Sequence, residues 1–246
     1  MHLLTAKYIA IYTRKTYKRH CKTRNTPDGI CFAASLCFAV QMLKRAHDNV
    51  ESANGLFKDE HLLTFYNLFN KEPYHFYDFS AHIQNLIETG IYKNMRLTDV
   101  LKIAAGLLTA QENFIANKNK TTKHNKKNHD NKLVYTLVSG VKVADEIDMM
   151  IKHRTDFQNI ALIITTKISG NHDANDLFQH STVLINLEKY LYFYDPNFGV
   201  YIIPSTEDDS FTCQNLLVSI ARNLKIRETC RLSPFPHHIR VQIDRP

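Results

Sequence analysis

The chain has 246 residues, 44% hydrophobic and 22% charged, enough to bury a sizeable core without disulfide or metal staples. A set of 31 Lys and Arg against 24 Asp and Glu leaves +7, a balance that suggests nucleic acid until its distribution is read. Apolar runs such as Asn159–Thr165 are far too short to span a bilayer, which excludes a membrane-spanning helix from the expectation.

A cleavable signal peptide is not expected either, because the basic cluster follows the mildly apolar start Met1–Tyr12 rather than preceding it. Arg14–Arg24 holds six basic side chains and no acid, and residues 1–24 read as a solvated N-terminal arm. Contact with an anionic surface is the functional alternative for Arg14–Arg24. Pro27-Asp28-Gly29 breaks the chain, and residues 30–46 are predicted helical, small and apolar with neither Gly nor Pro. Further helical stretches are predicted near 56–69, 80–92 and 97–116. In the last of these Thr98-Asp99 offers a cap.

Asn117–Lys132 differs in kind, with six lysines, five asparagines and no apolar residue. Nothing in it offsets the entropy of ordering, so it reads as a disordered insertion within a single catalytic domain, 25–246. It has no interleaved aromatic to stack on bases, so no specific nucleic acid is expected. This insertion carries +5 and Arg14–Arg24 +6, so the basicity sits on two appendages and the remaining body is mildly acidic.

After the insertion the pattern turns to strands, at 133–138 and 159–166, with a helix at 145–153 between them. A turn cluster at 170–176 precedes runs at 181–187, 190–194 and 200–203, which read as an antiparallel meander. A helix at 213–226 and a strand at 239–243 finish the chain. Helices first and a sheet second make an α+β fold. Glu207-Asp208-Asp209 is expected to cap the last helix, and His237-His238 to lie at the surface. Tyr190, Tyr192 and Tyr194 alternate on one strand face, as sheet packing or as the wall of a substrate groove.

Five cysteines (Cys21, Cys31, Cys37, Cys213, Cys230) without framework spacing imply free thiols in a reducing compartment. Cys31 follows Asp28-Gly29-Ile30 at the first turn of a helix, where free N–H groups and the positive dipole end favour a thiolate. Taken alone, that position also suits a structural thiol. Cys37, six residues on, faces elsewhere and reads as core. His180 stands at the start of one strand, after a turn, and Asp195 ends the next, so the hairpin between them brings both to the same end. A carboxylate there holds an imidazole in the tautomer whose other nitrogen faces a thiol. His172, Asp173, Asp176 and His180 lack paired-ligand spacing, and no metal is expected.

Gly29–Ser35, His180-Ser181 and Tyr192-Phe193-Tyr194-Asp195-Pro196-Asn197-Phe198-Gly199 resemble the YopT/AvrPphB-type cysteine proteases, papain-like bacterial effectors. The resemblance lies in two islands, 25–47 and 179–203. It implies a papain-like fold in which an N-terminal helical part, with the nucleophile at a helix start, packs on a C-terminal antiparallel sheet. It also implies Cys31 as nucleophile, His180 as general base and Asp195 as the orienting carboxylate. Asn25 is then the candidate side chain of the oxyanion hole, beside the Cys31 backbone N–H. No cofactor is expected. The implied activity is a cysteine endopeptidase acting on a host protein, secreted by a bacterium and working in host cytoplasm. A transglutaminase or deamidase-type acyl transferase would use the same triad, and a non-catalytic binding module stands as the reading from another class. Neither the substrate nor the oligomeric state follows from these residues.

Overall fold

The structure, a computed structural model, describes residues 2–3, 30–50, 80–87, 96, 99, 103, 133–139, 143–169, 178–187, 190–196, 199–203, 212–223, 231–234 and 237–243. The remainder of the arm, the boundary at 24/25, the stretch 56–69, the insertion 117–132, the turn cluster 170–176 and Glu207-Asp208-Asp209 lie outside the described residues.

The first long element, α1 (Cys31–Val50), follows the Pro27-Asp28-Gly29 break and contains neither Gly nor Pro. Ala34 N–H donates to the Ile30 carbonyl at 2.8 Å, which makes Ile30 the N-cap and Cys31 the first helical residue. Residues 80–87 are also helical. Two shorter helices follow, α2 (Val143–Lys152) and α3 (Cys213–Asn223). In α2, Asp145 and Glu146 in the first turn and Lys152 in the last complement the helix dipole.

Eight strands among the described residues form one sheet: β1 (His2–Leu3), β2 (Leu133–Ser139), β3 (Ile160–Ser169), β4 (Phe178–Leu187), β5 (Tyr190–Asp195), β6 (Gly199–Ile203), β7 (Arg231–Pro234) and β8 (His237–Ile243). Their order is β1-β6-β5-β4-β3-β8-β2, with antiparallel neighbours throughout. β4, β5 and β6 are the expected meander. β7 and β8 share one side of β3, with β7 on Thr166–Ser169 and β8 on Ile160–Ile163. The chain enters β3 through Asn159, whose φ of 58° is left-handed backbone that Asn tolerates. Its N–H donates to the Asn186 carbonyl at 2.9 Å, anchoring that turn to β4.

The period of two along the strands divides the apolar residues between two faces. On one face Ala161, Ile163, Val183, Ile185, Tyr192 and Tyr194 pack under Ala33, Leu36, Phe38 and Leu43 of α1. Phe38 stacks on Tyr194 with ring centroids 4.2 Å apart. Truncating a fully buried ring of this kind costs about 3–5 kcal/mol. On the other face Leu162, Ile164, Leu184, Leu191 and Phe193 meet Ile147 and Met150 of α2 and Leu216 and Leu217 of α3. The fold is α+β, with α1 on one face of the sheet and α2 and α3 on the other.

Two expectations need correction. A strand at 231–234 was not anticipated, because Pro234 lacks the N–H that a strand interior requires; it sits at the end of β7, paired with Thr166. His238 was expected at the surface, yet it is only 2% exposed. It lies in β8 opposite Val138, and the acid that receives it, Glu146, comes from α2. Tyr192 and Tyr194 are sheet packing, both 2% exposed.

Candidate active site

Strands β4 and β5 are paired from Leu187↔Tyr190 back to Val183↔Tyr194. His180 and Asp195 lie just past that last rung. His180 is still held by β3, opposite Thr166, and Asp195 is paired with Gly199 of β6. The two side chains bridge the opening, with His180 Nε2 and Asp195 Oδ1 3.0 Å apart. Both residues are buried, at 1% and 0% exposure. Burial of an isolated charge there would be costly, so each ion depends on its partner.

Cys31 comes to the same place from α1. Its sulfur is a hydrogen-bonding partner of His180 and of the backbone at Ser181 and Phe32. Nε2 of His180 is held by Asp195, which leaves Nδ1 for Cys31. The two shifts agree in direction. Burial pushes the Cys31 thiol up, but hydrogen bonding to His180, the imidazolium charge and the Ser181 and Phe32 backbone outweigh it, so its pKa falls below the ordinary 9.0. Burial pulls His180 down, but the hydrogen bonds and charges of Asp195 and Cys31 prevail and raise it to about 10. With Cys31 held below 9.0 and His180 raised to about 10, a proton shared between them rests on the imidazole, and the singly protonated pair is thiolate–imidazolium, with Cys31 partly exposed.

Hydroxyl groups fix the strand segment that carries the imidazole. Thr166 Oγ1 donates to the His180 carbonyl at 3.1 Å, and Ser35 Oγ donates to the Ser181 carbonyl at 3.1 Å. Thr165 Oγ1 and Ser181 Oγ lie 3.0 Å apart. On the other side of α1, Ala33 N–H donates to Gln84 Oε1 at 3.3 Å. Residue identities alone did not single out Thr165, Thr166 or Gln84, because a Ser, Thr or Gln in an amphipathic segment carries no mark of the backbone it will meet. Ser35 was visible only as a small residue behind Cys31. Asn25, the oxyanion-hole candidate, lies outside the described residues, as do His172, Asp173 and Asp176.

A second buried histidine lies in β8, beside α2. His238 Nε2 and Glu146 Oε2 are 2.6 Å apart, and Arg240 Nε donates to Glu146 Oε1 at 2.8 Å. Burial would raise the Glu146 carboxyl, but His238 and Arg240 outweigh it and hold it below its ordinary range. No cysteine accompanies this pair among the described residues of that cluster, and it joins α2 to β8. Among the described residues no group of His, Cys, Asp or Glu has the geometry to hold a metal ion. Nor is any described helix long and apolar enough to cross a membrane.

No protein-family model matches the chain, and no curated protein matches it in sequence. Among solved structures, the Pseudomonas avirulence protein AvrPphB is similar at 9% identity with a TM-score of 0.45, over 92% of this chain and 100% of that one. At that level the likeness decides neither fold nor activity. The α+β fold rests on the strand order and on the helices that cover the sheet.

Proposed function

We propose that the protein is a papain-like cysteine endopeptidase that cleaves a protein substrate through an acyl-enzyme on Cys31. The observation that carries this reading is the buried His180–Asp195 pair, 3.0 Å apart, met by Cys31 from the first turn of α1; the opposed shifts, Cys31 downward and His180 to about 10, agree with it. In the proposed cycle the Cys31 thiolate adds to the scissile carbonyl carbon. His180 then gives its proton to the departing amine, and the C–N bond breaks to leave a thioester. Water, losing a proton to His180, adds to that thioester; collapse releases the acid and restores the thiolate–imidazolium pair. Asp195 keeps Nε2 occupied throughout and stabilises the imidazolium.

A host protein as substrate, and a bacterial origin as a secreted effector, belong to the same proposal and draw on the motif resemblance at Gly29–Ser35 and Tyr192–Gly199. The test is a comparison of peptide termini after a proteome extract is incubated with wild-type protein or with Cys31→Ala. New termini with wild type and none with the variant are expected. Glutamine-to-glutamate changes or cross-links without new termini would replace hydrolysis by acyl transfer to or from glutamine. No Cys31-dependent change of any kind would leave a binding module.

A further inference from the structure

Ser35 and Cys31 stand four residues apart on α1, so one helix face presents both of them to β4. Cys31 meets the His180 ring and the Ser181 backbone. One turn on, Ser35, itself fully buried, donates its hydroxyl to the Ser181 carbonyl at 3.1 Å. The same peptide segment is gripped from β3, where Thr166 Oγ1 donates to the His180 carbonyl and Thr165 Oγ1 meets Ser181 Oγ. The His180–Ser181 segment therefore has side-chain hydrogen bonds on both consecutive carbonyls. Of the side-chain bonds to these two carbonyls among the described residues, the one from Ser35 comes from the helix that carries the thiol.

We propose that Ser35 is a positioning residue, a clamp between α1 and β4 that sets the approach of the Cys31 sulfur to His180 and to the Ser181 backbone. Apolar packing between α1 and the sheet fixes their separation but is non-directional, so it leaves sliding along the helix axis weakly opposed. A hydrogen bond from helix to strand one turn below the sulfur opposes that sliding, because its strength falls steeply with distance and angle. Small residues behind the sulfur, Ala33 and Ala34, allow the close approach that the bond requires.

The inference rests on the thiolate–imidazolium reading, and the test separates the two. The rate of Cys31 alkylation by iodoacetamide is followed against pH in wild type, Ser35→Ala and Ser35→Thr, alongside thermal midpoints. Ser35→Ala is expected to move the Cys31 profile toward the ordinary thiol range and to slow alkylation at low pH about fivefold, the scale of one buried hydrogen bond. Ser35→Thr, which keeps the hydroxyl, is expected to restore most of that loss. A purely structural serine would lower the thermal midpoint and leave the pH profile in place, and a Ser35→Ala profile that superimposes on wild type overturns the proposal. If Ser35→Ala does not fold, Ser35→Val, which matches the shape of Thr without the hydroxyl, is compared with Ser35→Thr and read the same way. A wild-type profile with Cys31 no more reactive than Cys213 defeats the thiolate reading itself, and a selective wild type with an unmoved variant defeats only the clamp.

Discussion

Two cysteines in this protein hold the same local position and have opposite chemistry. Cys31 is the first helical residue of α1, after the N-cap Ile30, and Cys213 is the first of α3, after the N-cap Thr212. Each stands where the helix dipole favours a thiolate. Yet burial and the nearby Asp148 charge raise Cys213 to about 11, while Cys31 falls below 9.0. The difference lies in what satisfies the free N–H groups. At α3 the Cys213 N–H donates to Asp148 Oδ1 at 2.6 Å, and the Thr212 N–H to Asn215 Oδ1 at 2.7 Å. A carboxylate thus occupies the positive end of the helix beside the thiol. At α1 the N-cap is an isoleucine with no acceptor to offer, the Phe32 N–H is left to the sulfur, and an imidazolium stands opposite. A helix start by itself makes no nucleophile; the neighbouring charge decides.

The largest expected effect breaks this comparison outright. Cys31→Ala should remove turnover by on the order of 10⁴-fold or more, while Cys213→Ala leaves it standing; peptide hydrolysis assays on the two variants read this directly. Next comes His180→Ala, which takes away both the counter-charge and the proton carrier. Turnover should fall by about 10²–10⁴-fold, and Cys31 should lose its alkylation advantage over Cys213. Asp195→Asn should cost less, on the order of 10²-fold, and its mark is in the pH profile. In wild type the active pair forms as pH rises through the lowered Cys31 pKa and is lost as His180 gives up its proton near 10. Without the Asp195 charge the alkaline limb moves to lower pH; an alkaline limb that stays in place would detach Asp195 from His180. The smallest effect tests the other cysteine. Asp148→Asn should speed Cys213 alkylation by less than about tenfold, because burial, the larger cause of its shift, remains.

Much of the sheet was legible because its strands carry apolar, β-branched or aromatic runs bounded by turn residues. The boundaries of β2, β5 and β6 fall within a residue or two of the pattern at 133–138, 190–194 and 200–203. The strand β4 begins earlier than expected, at Phe178, since Gln179 and His180 are polar and their pairing with Lys167 and Thr166 is a property of the partner strand. The placement of α2 and α3 on the face opposite α1 was not legible, because helical periodicity gives a face but not the sheet surface it will cover. At the candidate site, the proximity of His180 to Asp195 follows from a short hairpin, a local relation. The hydroxyl bonds of Ser35, Thr165 and Thr166 join segments up to 146 residues apart, and no local pattern encodes them. No local pattern encodes the Glu146–His238 pair either, since its members are brought together across α2 and β8.

The central claim is that the partner, and not the helix, makes the nucleophile. The most direct measurement is the pH dependence of alkylation of Cys31 and Cys213 in one native sample, each peptide quantified by mass spectrometry. The account predicts two separated curves, with Cys31 reacting at a midpoint below 9.0 and Cys213 only as the pH nears about 11. Curves that coincide, or a Cys31 midpoint at or above 9.0, would contradict it.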